Sequence, residues 1–245
     1  MKRLIRILLA VLAGSGASAW AAPVPPLLGT RAGSASALGV PMQILLMLTA
    51  LTLVPAAVVS VTPFLRLTVV LHFLRQALGT QTTPSNQVLV GLSLFLTVMI
   101  MQPVGSEIYH KAWEPFESGQ ATYQQALDAG SQPLRTFLLR FARQRDIRLF
   151  LEVSHRPAPR NPSDIDLTVL MPAYVLSELR AGFQIGAVLF LPFLIIDLVV
   201  ASITLSIGMV QLPPVMISAP LKVLLFVLVD GWNLVVGSLI HSFYQ

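Results

Sequence analysis

The chain has 245 residues, of which 55% are hydrophobic and only 11% are charged, against about 25% charged in an average soluble domain. Together with a mean hydropathy of +0.75, this composition excludes an ordinary soluble protein and indicates an integral membrane protein. The net charge of +5 does not indicate nucleic-acid binding, because the basic residues form no groove with interleaved aromatics. Since the chain has no cysteine, disulfides, thiolate nucleophiles and cysteine-ligated metals are excluded.

The N-terminus has the order of a secretory signal peptide, in which basic residues are followed by an apolar stretch and then by small residues. We therefore expect residues 1–21 to be a cleaved signal peptide. Residues 22–41, rich in proline, glycine, serine and alanine, are expected to form an irregular extracytoplasmic leader. An uncleaved short anchor helix is the alternative.

Two apolar runs follow, at residues 42–65 and 88–101, and the second extends to residue 108 if Pro103 and Gly105 are tolerated. Each can cross a bilayer, which takes about 20 residues. Their internal prolines and glycines do not exclude this, because neighbouring helices in a bundle re-satisfy the carbonyls that such residues free. We predict a first membrane hairpin over residues 42–108, with the connection 66–87 on the cytoplasmic side.

Residues 109–166 form the one conventional polar segment and hold half of the lysines and arginines. Apolar side chains recur there at helical spacing, which predicts a small helical domain. The arginines are typical of the solvated face of a helix beside a membrane. Because a cleaved signal and two spans return the chain to the outside, we expect this domain to be extracytoplasmic, against the positive-inside rule. The apolar residues with helical spacing are Leu134, Phe137, Leu138, Phe141, Ile147, Phe150 and Leu151.

The last third of the chain is almost unbroken hydrocarbon from residue 183 to residue 236, with one tight glycine- and proline-bounded segment at 208–214. This pattern predicts a second membrane hairpin over residues 167–245. Gly182 and Gly186 lie four residues apart, a spacing that usually marks close packing between helices.

Three charges, Asp197, Lys222 and Asp230, interrupt this hydrocarbon. An ionised side chain at bilayer depth costs at least about 2.5 to 3.5 kcal/mol, so each must face a partner or a watery cavity. A hairpin that turns near residue 212 brings Asp197 and Lys222 within about 7.5 Å along the helix axis. We therefore predict that they pair, within one subunit or with a close neighbour, and that Glu178 and Arg180 contact other subunits. The alternative is that each charge snorkels or binds backbone.

Nothing in the sequence indicates catalysis. The four histidines are dispersed without metal-ligand spacing, and no serine, histidine and aspartate converge in one membrane layer. A glycine-rich phosphate cradle is absent as well. We predict that the protein is not an enzyme and has no metal or cofactor.

Six segments carry a resemblance to a known family, and together they extend over nearly all of residues 43–243. On these segments the sequence resembles the FliP family of flagellar biosynthetic proteins, which belongs to the type III secretion export gates. The segments are 81–89 (QTTPSNQVL), 167–173 (LTVLMPA), 177–180 (SELR), 183–186 (FQIG), 191–197 (LPFLIID) and 212–218 (LPPVMIS).

The resemblance implies a core subunit of the flagellar export gate in the bacterial inner membrane, within the flagellar basal body. Several copies would assemble with FliQ- and FliR-like subunits, and with other flagellar export membrane proteins, around a channel for unfolded flagellar subunits. It also implies a gate loop, which in the family is typically methionine-rich and resembles a gasket. A tight turn without a gating role is the alternative for that loop. The corresponding residues here are Gly208, Met209, Val210, Gln211, Leu212, Pro213 and Pro214.

The predicted fold class is an all-α integral membrane protein, with four long hydrophobic helical segments in two hairpins and a small helical extracytoplasmic domain. In a tapered ring, some of these segments would be buried against partners rather than in lipid. From the residues alone a second function stays open, a small secondary transporter or ion channel that uses Asp197 as its coupling site.

Overall fold

The computed structural model describes residues 40–80, 82–155, 161, 164–209 and 213–244. The expected signal peptide, residues 1–21, and nearly all of the leader, 22–41, lie outside the described residues. Both therefore stay predictions, as do the other domain boundaries. Throughout the described ranges the regular structure is helical, so the all-α fold class is confirmed.

Within the described ranges, three helices are long and apolar enough to cross a membrane, namely α1, α3 and α7, and the bent pair α8–α9 makes a fourth if it counts as one span. A π-helical turn, Tyr109–Trp113, continues α3 into α4. In chain order the helices are α1 Val40–Val61, α2 Phe64–Ala77, α3 Asn86–Ile108, α4 Glu114–Glu117, α5 Tyr123–Phe141, α6 Gln144–Val153, α7 Leu167–Ser206, α8 Pro214–Leu228 and α9 Gly231–Tyr244.

The chain divides into two compact units, residues 1–51 and 52–245. In the first unit, the described residues form the first part of α1, whose large apolar side chains are exposed. The second unit contains the end of α1 and all the helices from α2 to α9.

Helix α2 occupies most of the stretch 66–87, for which the sequence analysis predicted no helix. Leu67, Val70, Leu71 and Leu74 are almost completely buried, at helical spacing along one face. The basic side chains that obscured this face have partners inside the chain. For example, Arg75 Nη1 donates to Asn86 Oδ1 at 2.6 Å, and Arg66 Nη2 donates to Glu178 Oε1. Helix α2 is therefore a central element of the core.

Helix α7 is the 40-residue rod on which the second unit is built. Helix α2 runs parallel to it, because successive contacts advance in the same direction along both helices. Helix α8 returns antiparallel to α7, with Phe193 and Phe226 facing each other across the hairpin. Contacts that show this direction are Arg66 with Glu178, Val69 with Gly182, and Phe73 with Gly186.

The polar segment folds as predicted into helices around a small core. All seven apolar residues singled out there are buried or partly buried in that core. A capping box, in which Thr122 and Gln125 bond each other's backbone amide, starts α5. The same core includes Val169, Leu170 and Tyr174 of α7, so the domain packs directly on the first turns of the rod.

The last hydrophobic segment is not one long helix, because α8 and α9 meet at an angle of 66°. Asp230 lies at the bend with a φ of +52°, and it accepts a hydrogen bond from Asn233 Nδ2 at 3.1 Å. A Cβ on Gly231 would come within 2.2 Å of the Phe226 ring. Asp230 is thus an exposed residue at this bend, and its predicted place among the intramembrane charges stays a prediction.

Candidate functional site

The predicted pair of Asp197 and Lys222 is present within a single chain. Lys222 Nζ donates to Asp197 Oδ2 at 2.6 Å, and Ser218 Oγ donates to Oδ1 at 2.5 Å. The lysine side chain is 3% exposed, whereas that of Asp197 is 31% exposed. Sequence reasoning missed Ser218, although its position one helical turn before Lys222 places both on the same face of α8. We name Asp197 and Lys222 the hairpin pair, and Ser218 supports it.

A second ion pair, which the sequence analysis did not predict, joins α2 to α7. Arg66 Nη2 donates to Glu178 Oε1 at 2.5 Å, and the Glu178 side chain is completely buried. Arg66 also donates to Ser242 Oγ at 3.3 Å and lies over the Phe243 ring, 4.1 Å from its centre. We name Arg66 and Glu178 the core pair.

The core pair corrects one expectation, namely that Glu178 contacts other subunits. Instead, the apolar core around Glu178 requires a cation inside the same chain, because an unpaired buried carboxylate is strongly unfavourable. Glu178 Oε2, Arg66 Nε and the Tyr174 hydroxyl have no hydrogen-bond partner among the described residues.

Arg180 lies in a polar network that fixes α6 to α7. Arg180 Nη2 is 3.4 Å from Asp146 Oδ1, and Ser177 Oγ donates to Asp146 Oδ2 at 2.7 Å. The Arg143 backbone N–H donates to Ser177 Oγ at 2.9 Å, and Arg143 Nη2 donates to Gln184 Oε1 at 2.6 Å. The Arg180 side chain remains 39% exposed, and Arg143 and Gln184 are exposed as well, so a neighbouring molecule can reach this side of the network.

The glycine spacing on α7 marks close packing within the chain. A Cβ on Gly182 would lie 3.0 Å from Val69 Cγ1, and one on Gly186 would lie 2.6 Å from the Phe73 ring. Both glycines are buried against α2. They allow α2 to approach the rod closely enough for the core pair to form.

The segment 208–214 joins α7 to α8, as predicted. Gly208 has a φ of +79°, a left-handed conformation that favours glycine, and Met209 is 43% exposed. Pro213 precedes α8, and Pro214 is its first residue. Val210, Gln211 and Leu212 lie outside the described residues.

These charges connect helices to one another. Among residues 40–80, 82–155, 161, 164–209 and 213–244, no group of three or more histidine, aspartate or glutamate side chains could hold a metal ion. The hairpin pair links α7 to α8, the core pair links α2 to α7 and α9, and the Asp146 network links α6 to α7. Such an arrangement fixes the relative positions of helices.

Comparison with known proteins gives one consistent result. The FliP family model matches residues 47–239, a range that includes both ion pairs and the 208–214 segment. The flagellar biosynthetic protein FliP of Pectobacterium carotovorum is 49% identical over 204 residues, 83% of this chain and 79% of the relative. That of Bacillus subtilis is 46% identical over 202 residues, 82% and 91% of the two chains. The FliP of Caulobacter vibrioides is 44% identical over 218 residues, which are 89% of this chain and 81% of the relative.

Proposed function

We propose a function from one premise: this chain belongs to the FliP family, the flagellar biosynthetic proteins of the type III export apparatus. The chain is a core subunit of the flagellar protein export gate. Several copies assemble with FliQ- and FliR-like subunits into a channel, through which unfolded flagellar subunits leave the cytoplasm. The gate lies in the bacterial inner membrane at the flagellar basal body, and it acts by conformation rather than by bond chemistry.

One observation carries the proposal beyond family membership, namely that side chains fill the core of the chain. Leu71, Leu89, Phe193, Phe226 and Leu239 from five different helices pack in one cluster. Among the described residues there are at most four spans of about 10 Å diameter, and this cluster leaves no open path between its helices, so one copy is too small to enclose a path for a polypeptide. A conduit must therefore lie between subunits. The exposed apolar faces of α1, α3, α7 and α8 supply surfaces for such contacts.

The hairpin pair gives the gate its rigid part. Because Asp197 and Lys222 hold α7 against α8, the connecting segment 208–214 is presented on a fixed support. We propose that this segment is the gate loop, with Met209 as its sealing side chain, since an unbranched and polarisable methionine conforms to irregular neighbours. Arg180, which is partly exposed, and Asp230, which is exposed, are proposed to contact other subunits, whereas Gly182 and Gly186 act within the chain.

A second candidate function is a small transporter or channel with Asp197 as its coupling site. The partial exposure of the Asp197 carboxylate within an apolar helix favours it. Against it, both Asp197 oxygens already accept hydrogen bonds inside the chain, from Lys222 and Ser218. A coupling ion would have to displace one of these donors.

Complementation tests the proposal. The chain is expressed in a flagellated bacterium that lacks its own FliP-family gene, and the secreted hook and filament proteins are measured in the medium. We expect secretion and swimming to return, and a variant that lacks residues 208–214 to restore neither although it reaches the membrane. If the deletion strain secretes these proteins and swims without any FliP-family chain, the proposed function is wrong. Sodium or proton flux through liposomes that contain the purified chain alone would favour the transporter.

A further inference from the structure

Three buried polar atoms at the core pair form no hydrogen bond with any described residue, namely Arg66 Nε, Glu178 Oε2 and the Tyr174 hydroxyl oxygen. Buried polar groups in folded proteins nearly always have a partner, and where side chains supply none it is usually an enclosed water molecule. We propose that the core pair binds one buried water molecule, and that Tyr174 is a positioning residue that holds the pair through this water. The proposal concerns the folded chain and does not rest on the export function.

Two of the three atoms belong to the ion pair itself. Arg66 Nη2 donates to Glu178 Oε1 at 2.5 Å, and Arg66 Nη1 donates to Ser242 Oγ at 3.3 Å. The carboxylate is therefore held through one oxygen, whereas a bidentate pair would use both. Arg66 Nε is joined to Nη2 through a single carbon, and Glu178 Oε2 is joined to Oε1 in the same way. Both atoms therefore lie next to the bond that connects the pair.

Tyr174 brings the third atom to the same region. It precedes Glu178 by four residues, so the two side chains lie on one face of α7, and both are completely buried. The Tyr174 ring lies 6.0 Å from the ring of Phe137, which in turn lies 5.0 Å from that of Phe141. The Arg66 guanidinium lies over the same Phe141 ring, 5.6 Å from its centre. Helix α5 therefore covers both Tyr174 and the core pair with one row of aromatic rings.

The chemistry of the three atoms identifies the ligand. Arg66 Nε–H only donates and the carboxylate oxygen of Glu178 only accepts, while the Tyr174 hydroxyl has a hydrogen to donate. Chloride only accepts and ammonium only donates, so neither can bond all three. A water molecule can accept from Arg66 and Tyr174 and donate to Glu178. It then makes three hydrogen bonds, the usual number for a buried water.

Such a water explains how the core pair is tolerated inside the bundle. A buried ion pair is favourable only when further hydrogen bonds satisfy the remaining oxygens and N–H groups. With the water bound, both oxygens of Glu178 accept a hydrogen bond, and all three nitrogens of the Arg66 guanidinium donate one. The Tyr174 hydroxyl then supports the contact between α2 and α7 from a position one turn before Glu178.

A cryo-electron microscopy map tests the site directly. The full chain is imaged in the complex with which it purifies, at a resolution that shows ordered water elsewhere in that complex. We expect a density peak roughly 2.7 to 3.2 Å from Arg66 Nε, Glu178 Oε2 and the Tyr174 hydroxyl oxygen.

A single substitution tests the role of Tyr174. Tyr174→Phe keeps the ring that packs on Phe137 and removes only the hydroxyl. If the hydroxyl bonds the water, its loss leaves the buried site one hydrogen bond short, and we expect the melting temperature to fall by roughly 2 to 6 °C. Tyr123→Phe is the matched control, because Tyr123 is 66% exposed and its hydroxyl is open to solvent. We expect this control to leave the melting temperature unchanged.

Three results would overturn the proposal. The first is a map that resolves other waters but shows no peak beside Arg66 Nε and Glu178 Oε2. The second is a direct hydrogen bond from Tyr174 to Glu178 in that map, which would make the water unnecessary. The third is a melting temperature of Tyr174→Phe that equals or exceeds that of the unaltered chain, because removing an unpaired buried hydroxyl would have that effect.

Discussion

The core pair and the hairpin pair are both ion pairs between apolar helices, yet the chain encloses them to different extents. Glu178 is completely buried, and Arg66 is covered by the rings of Phe141 and Phe243. Lys222 is equally buried, but a third of the Asp197 side chain remains open to the surroundings. The comparison teaches that the charges beside the polar domain are satisfied and enclosed within one chain. The pair on the hairpin that leads to residues 208–214 is still open on one side, where a neighbour can make contact.

The largest expected effect is the loss of one member of the core pair. Arg66→Gln leaves the Glu178 carboxylate buried without a cation, which costs roughly 3 to 5 kcal/mol of folding stability. We expect the variant to fail to accumulate in the membrane, measured by quantitative immunoblotting. Replacing both members by leucine removes the buried charges, and we expect much of the protein to return. Arg145→Gln, at an exposed site, serves as the control. Normal levels of Arg66→Gln would mean that the core pair does not hold the bundle together.

A smaller loss is expected at the hairpin pair, because Asp197 keeps partial access to its surroundings. Asp197→Ala and Lys222→Ala are expected to accumulate but to lower export and assembly, measured as secreted hook protein and as the amount of purified complex. Exchanging the charges, Asp197→Lys with Lys222→Asp, is expected to restore part of both. If the exchange and its single variants are equally inactive, the pairing is not the functional contact.

The next largest effect is expected when the close packing between α2 and α7 is disturbed. Gly186→Ala places a methyl group 2.6 Å from the Phe73 ring, and such overpacking costs roughly 1 to 3 kcal/mol. Gly91→Ala is the matched control, because nothing lies within 4 Å of its Cβ position and alanine favours the helix by about 0.5 to 1 kcal/mol. We expect the melting temperature to fall for the first variant and to stay level or rise for the second. Equal melting temperatures would contradict the close approach of α2.

The smallest effect is expected at the bend between α8 and α9. Asp230→Gly keeps a residue that adopts the left-handed conformation, so stability is expected to change by less than about 1 kcal/mol. Asp230→Val, which disfavours that conformation, is expected to lower the melting temperature more. If Asp230 contacts another subunit as proposed, Asp230→Gly lowers the yield of complex without changing the melting temperature of the chain. An unchanged yield would remove Asp230 from the assembly contacts.

The sequence predicted those features that short-range rules determine. A tight turn fixes the register of an antiparallel hairpin, so the contact of Asp197 with Lys222 followed from counting residues. The contact of Arg66 with Glu178 joins residues 112 positions apart, and no turn fixes the register between α2 and α7. Helix α2 was missed because Arg66, His72 and Arg75 lower its hydropathy, although the spacing of Leu67, Val70, Leu71 and Leu74 reveals its buried face. The Asp230-Gly231 dipeptide is a turn signal that could have revealed the bend.

The mass and composition of the purified assembly test the central claim most directly. The full chain is extracted from flagellated cells in mild detergent, and native mass spectrometry counts its copies and identifies its companions. The account predicts a complex that contains several copies of this chain together with other small flagellar membrane proteins. A monomer or dimer without such companions, which moves ions across liposomes and loses that activity in Asp197→Ala, would contradict it.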